Sequence, residues 1–124
     1  MTALIIDTSG SLSCIALSLQ GKLIQFLSLP QGRELSETLF NSIISLSFNK
    51  KIDFIAVGIG PGTFTGTRVG AASAQSLSYG WSIPLVPFSS LLLPDLPTIA
   101  EETYQSFLSG AIPNFKLVYI SKTP

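Results

Sequence analysis

The segment Gly58-Ile59-Gly60-Pro61-Gly62-Thr63-Phe64-Thr65-Gly66-Thr67-Arg68-Val69-Gly70 constrains this chain more than any other. It follows the apolar run Ile52 to Gly58, which reads as a buried strand. It precedes Arg68 to Tyr79, which has helical length and no proline. The segment therefore joins a strand to a helix, where backbone N–H groups point outward and glycines permit tight turns and close approach. Its glycines at 58, 60, 62 and 66 miss the dinucleotide-binding spacing, and it lacks the Lys-Ser/Thr of a phosphate loop. Phosphate cradling by the loop amides and plain tight packing both stay open on these residues alone. Gly66, Gly70 and Ala74 recur at steps of four, a side-chain-poor stripe against which another helix or a sheet can approach closely. Each interior glycine costs about 1 kcal/mol against alanine, so close packing must offset that loss.

The rest of the chain frames this junction. Ala3 to Ile6 is a short apolar run fit for a central strand. Ser11 to Leu19 and Leu23 to Leu29 read as two more strands, joined by the turn signal Gln20-Gly21-Lys22 and stopped by Pro30-Gln31-Gly32. Three strands with short connections make an antiparallel meander. From Ser36 the period changes: Leu35, Leu39, Ile43 and Leu46 share one helical stripe, flanked by Phe40 and Ile44. Ile83 to Phe88 supplies a fifth strand, and strand–helix–strand implies a right-handed parallel crossover. The expected fold is α/β, with a mixed sheet, a three-strand antiparallel meander followed by parallel strands, and two main helices. Residues 94–124 read as a short tail. Pro94 and Pro97 interrupt it, Thr98 and Glu101 form a capping box, Ala100 to Leu108 a short helix, and Phe115 to Ile120 a last strand.

Composition narrows the chemistry. With 46% apolar and 11% charged residues, the chain is greasy against a typical charged share of roughly 25%. Such a domain is deeply packed or presents an apolar face to a partner. No run reaches the roughly 18 apolar residues of a membrane span. Asp7 interrupts the first apolar run, which argues against a signal peptide, so the expected location is cytoplasmic. Seven basic residues balance seven acidic ones, which gives little support for tight, direct nucleic-acid binding. The basic pair Lys50-Lys51 reads as the solvated end of a helix. Cys14 is the one cysteine and fits a buried small hydrophobe, and there is no histidine. No disulfide, cysteine zinc site, histidine-ligated metal or histidine-dependent triad is expected.

Leu4-Ile5-Ile6-Asp7-Thr8-Ser9, the glycine loop and Ile83-Pro84-Leu85-Val86, in that order, resemble the N-terminal half of the TsaB/YeaZ family, over about residues 3 to 93. That family is the non-catalytic partner in bacterial tRNA threonylcarbamoyladenosine synthesis. The resemblance implies a ribonuclease-H-like half-domain of the actin/Hsp70 superfamily over residues 1–93, with 94–124 unassigned and a second half completing a two-lobed molecule. It implies a scaffold that pairs through its two helices with a TsaD-type catalytic subunit, or with itself, and meets tRNA only indirectly. The catalytic relative holds its metal through histidines, so this chain cannot replace it; no metal and no cofactor are expected. Leu35 stands where the family would place a histidine before Ser36-Glu37.

Candidate positions follow from both readings. Leu39, Ile43, Gly66, Gly70 and Ala74 are the expected partner interface. Gly58, Gly60, Pro61, Gly62 and Arg68 form the structural loop, with Arg68 at the helix start, where a cation opposes the helix dipole and calls for a carboxylate or carbonyl partner. Asp7, Thr8 and Ser9 with Gly60 and Gly62 are a phosphate-binding candidate, since superfamily members hold a metal-bound phosphate there. Two alternatives stand beside the scaffold: a glycoprotease-like hydrolase, which would need a lysine or carboxylate base, and a small phosphate- or nucleotide-binding module.

Overall fold

A computed structural model describes residues 1–10, 13–29, 34–90 and 95–112. Its elements are β1 (Thr2–Asp7), β2 (Ser13–Leu19), β3 (Lys22–Leu29), α1 (Leu35–Ser47), β4 (Phe54–Gly58), α2 (Phe64–Trp81), β5 (Leu85–Phe88) and α3 (Leu96–Ser109). The strands form one mixed sheet in the order β3-β2-β1-β4-β5. β1 pairs antiparallel with β2, and β2 with β3; β1 runs parallel to β4, and β4 to β5. The expected meander and parallel crossover unit are both present. Gln20 and Gly21 close the β2–β3 hairpin with positive φ angles of 53° and 79°, as a two-residue turn between right-twisted strands requires.

Alternation along the strands sorts the side chains into two cores. Leu4, Ile6, Ile15, Leu17, Ile55 and Val57 face α1 and α2, where Leu35, Leu39, Ile43, Leu46 and Ala74 close over them. Ala3, Ile5, Cys14, Ala16, Phe54, Ala56, Val86 and Phe88 face α3, which contributes Leu96, Ile99 and Ala100. β4 is apolar throughout because helices cover it on both sides. The edge strand β3 is mostly exposed.

The C-terminal part differs from the sequence expectation. α3 opens at Leu96, capped by Asp95, whose carboxylate accepts from the Thr98 amide at 3.2 Å and the Thr98 hydroxyl at 2.7 Å. The Thr98–Glu101 capping box is not formed. Pro97 falls in the first turn, where an amide has no helical partner to lose, so it starts the helix and does not break it. Phe107 stacks on Phe54 with ring centroids 4.4 Å apart. A division at residue 93 would thus cut α3 from the core it closes. The strand expected at Phe115 to Ile120 lies outside the described residues, as does the Pro30-Gln31-Gly32 stop.

The packing of α3 gives a direct test. Ile99→Ala should cost about 2–5 kcal/mol in urea unfolding, the range for emptying a buried aliphatic site. A cost near zero would mean that α3 is an independent tail.

Candidate functional site

β1 ends at Asp7, and the chain turns through Thr8 and Ser9 beneath the loop that joins β4 to α2. All three residues are fully buried. Four glycines make this possible, each set against the same tripeptide. A Cβ at Gly58 would sit 2.2 Å from the Asp7 carboxyl carbon, and one at Gly62 would sit 2.1 Å from the Ser9 carbonyl oxygen. At Gly66 it would meet the Thr8 carbonyl oxygen at 2.3 Å, and at Gly70 the Thr8 hydroxyl at 2.5 Å. None of these distances is open to a real side chain. The stripe is therefore a close approach of α2 to the end of β1 within this chain.

Polar groups there are engaged with one another. Asp7 Oδ1 accepts from the Ser9 amide at 2.9 Å and the Ser9 hydroxyl at 2.6 Å. Ser9 Oγ lies 2.6 Å from Ser90 Oγ, and the Gly60 amide donates to Ser90 Oγ at 2.9 Å. A hydroxyl has one proton, so the donors run in order from Gly60 through Ser90 and Ser9 to the carboxylate. The Thr63 amide donates to the Ser9 carbonyl at 2.7 Å, and the Gly66 amide to Thr63 Oγ1 at 3.1 Å, which caps α2. Thr8 Oγ1 donates to the Gly66 carbonyl. The phosphate-binding candidates Asp7, Thr8, Ser9, Gly60 and Gly62 are thus brought together, with Gly60's amide spent internally and the hydroxyls tied into the same net. Asp7 Oδ2 has no hydrogen-bond partner. Burial pushes the Asp7 carboxyl above its ordinary 3.8, and the Ser9 and Ser90 bonds offset part of that rise. Cys14, paired with Asp7 in the β1–β2 register, has its thiol pushed up to about 12 by burial and by the Asp7 charge. That is an inert thiol. Among the described residues no group of three or more metal-ligating side chains gathers.

The expected interface residues sit elsewhere than on a surface. Leu39, Ile43 and Ala74 are core, and Gly66 and Gly70 lie against Thr8. The reason is that α1 carries two apolar stripes, and the sheet takes the one containing Leu35, Leu39, Ile43 and Leu46. The other is left outside: Phe40 is 63% exposed, Ile44 50% and Phe48 69%. With Ala72, Ser73, Ser76, Leu77 and Trp81 of α2, Phe40 and Ile44 line a groove of about 380 Å³. Arg68 is exposed in the second turn of α2, because Thr63 starts that helix earlier than the glycines suggested. It lines a hollow with Ser36, Thr65, Val69, Ala72 and Ser73, continuous with the groove. Sequence reading missed Ser90, whose link to Ser9 spans 81 positions and leaves no local signal. It also missed Leu77 and Trp81; their only trace was i, i+4 spacing along α2.

Two outcomes follow. Gly70→Leu should destabilise the fold by at least about 1–3 kcal/mol, the usual cost of overpacking; at an exposed helical position the same change would stabilise. A raised melting temperature would refute the close approach. The second concerns pH. The native state holds the Asp7 proton more tightly than the unfolded chain. Stability therefore falls as pH rises from the ordinary carboxylate value through the raised native value. Urea unfolding of wild type and Asp7→Asn should show wild type losing ground as pH rises above the ordinary carboxylate value of 3.8. A constant difference would count against a desolvated carboxyl.

The family model described as TsaD, tRNA N6-adenosine threonylcarbamoyltransferase, matches residues 34–94. The tRNA threonylcarbamoyladenosine biosynthesis protein TsaB of Haemophilus influenzae is 37% identical over 98 residues, 73% of this chain and 40% of that protein. The tRNA N6-adenosine threonylcarbamoyltransferase of Aeropyrum pernix is 38% identical over 63 residues, 51% of this chain and 17% of that one. Among solved structures, YeaZ from Pseudomonas aeruginosa superposes with a TM-score of 0.63 at 28% identity, covering 71% of this chain and 43% of that chain. The chain thus spans less than half the length of these relatives. Over nearly three-quarters of its own length, at moderate identity and in a shared mixed α/β fold, the chain is similar to the TsaB/YeaZ proteins.

Proposed function

We propose that this chain is a non-catalytic docking subunit for tRNA threonylcarbamoyladenosine modification, which binds a TsaD-type transferase through the outer face of α1 and α2. The observation that carries the reading is the second apolar stripe of α1. Phe40, Ile44 and, at the helix cap, Phe48 repeat every four residues and stay exposed, and Phe40 and Ile44 line the groove closed on its far side by Leu77 and Trp81. Large side chains exposed in a row beside a groove are the chemistry of a helix-in-groove contact. In a chain with only 11% charged residues, a covered face of this kind also accounts for the apolar excess. The related proteins carry names from a single tRNA modification, which supplies the process. The sealed arrangement of Asp7, Ser9 and Ser90 favours docking over the hydrolase and phosphate-module alternatives, since neither a substrate carbonyl nor a phosphate can reach those groups without opening the loop. Work on tRNA places such a subunit in the cytoplasm. No helix among the described residues is long and apolar enough to cross a membrane.

The test is assembly. Phe40→Glu with Ile44→Glu should leave a folded chain, because both side chains already face solvent, and should abolish co-elution with the transferase. Light scattering that shows the double variant still pairing, or wild type ignoring the transferase, would end this reading.

A further inference from the structure

The α1–α2 trough ends in a hollow of different chemistry. Ser47, Lys50, Lys51, Ile52, Trp81 and Ile83 line a space of about 400 Å³, within the roughly 300–1,000 Å³ of small-ligand sites. Trp81 and Ser47 belong to both spaces, so the indole stands as a wall between the apolar groove and this hollow. Ile52 and Ile83 add apolar surface, and two exposed ammonium groups complete the lining.

We propose that this hollow holds one unstacked nucleotide of an RNA strand, with its base against the Trp81 indole and neighbouring phosphates on Lys50 and Lys51. An aromatic wall beside paired cations is how single strands are gripped: every base has a π-face, and every linkage carries a charge. Two features keep the cations available. Asp53, the nearest carboxylate in sequence, is turned away and accepts from the Thr2 amide at 2.8 Å. The helix ends, whose carbonyls would repel a phosphate, are capped by backbone. The Ser82 and Ile83 amides donate to Tyr79 and Ser78 carbonyls, and the Lys50 amide to the Ser47 carbonyl. Zero net charge argues against a broad nucleic-acid surface, and the site accordingly grips a nucleotide or two at a corner. The choice of RNA rests on the proposed function, whereas the pocket does not. A docked transferase would cover the groove on one side of Trp81 and leave this side open.

Trp81 is the chain's one tryptophan, so its fluorescence reports on the two spaces it separates, and the lysine variant isolates the contribution of the hollow. Titration of the full chain with short single-stranded oligoadenylate should quench it saturably. For two phosphates, log affinity should fall with log salt at a slope of about −1.4, roughly −0.7 per phosphate for single strands. Lys50→Ala with Lys51→Ala should weaken binding about tenfold or more and flatten that slope, while leaving pairing with the transferase intact. Trp81→Leu, followed by anisotropy of a labelled oligonucleotide, should also lose roughly tenfold through lost stacking. Absence of quenching, quenching without a salt slope, or full affinity in the lysine variant would overturn the proposal. Competition by AMP or inorganic phosphate as effective as by the oligonucleotide would overturn it in favour of a small-anion site. The Phe40→Glu, Ile44→Glu variant separates the two readings, since it should lose assembly and keep the quenching.

Discussion

Everything positioned in this fold depends on the contact between Asp7-Thr8-Ser9 and the glycines at 58, 62, 66 and 70. Those four positions fall at equal steps, two on the strand and loop and two on the helix, and each abuts one residue of the tripeptide. The contact sets the height of α2 over the sheet, and so where its outer side chains lie relative to α1. Two helical glycines cost about 1 kcal/mol each in propensity. What they gain is backbone-distance packing and a short set of bonds across it, from Thr8 to Gly66 and from Thr63 to Ser9.

Much of this was legible in the residues. The meander could be read because Gln20-Gly21 is a strong turn between apolar runs, and β4 because an unbroken apolar run fits a strand covered on both faces. The glycine stripe announced a close approach, but periodicity does not say whether the approaching backbone belongs to the same chain. Here it does, which is why Gly66, Gly70 and Ala74 are internal. Helix α1 posed a sharper version of that ambiguity. Leu39 and Phe40 are neighbours in sequence and lie on different apolar stripes, and only the position of the sheet decides which is buried. Pro97 misled for a local reason, since proline ends a helix from inside but opens one from its first turn.

The same geometry separates two kinds of apolar surface. One is sealed between sheet and helices and makes the chain fold. The other runs along the outside of α1 and α2, with Arg68 near one end and Lys50 and Lys51 near the other. At the Arg68 end this favours a docking partner acidic at the rim, because rim charges steer encounter more than they add affinity, whereas Lys50 and Lys51 lie past Trp81 and outside the docking floor.

Strand β3 carries a further consequence. It is an edge strand of eight residues, with exposed Ile24, Phe26 and Leu27 and a single charge at Lys22. Edge strands are normally blunted by lysines, prolines or bulges, since their free amides and carbonyls template pairing with another chain. Here the one irregularity in the ladder falls between Leu17 and Ser18, opposite the start of β3, and leaves most of its length straight. This edge is therefore a template on which a strand from another chain can add. A lysine in place of the exposed Phe26 would blunt that template.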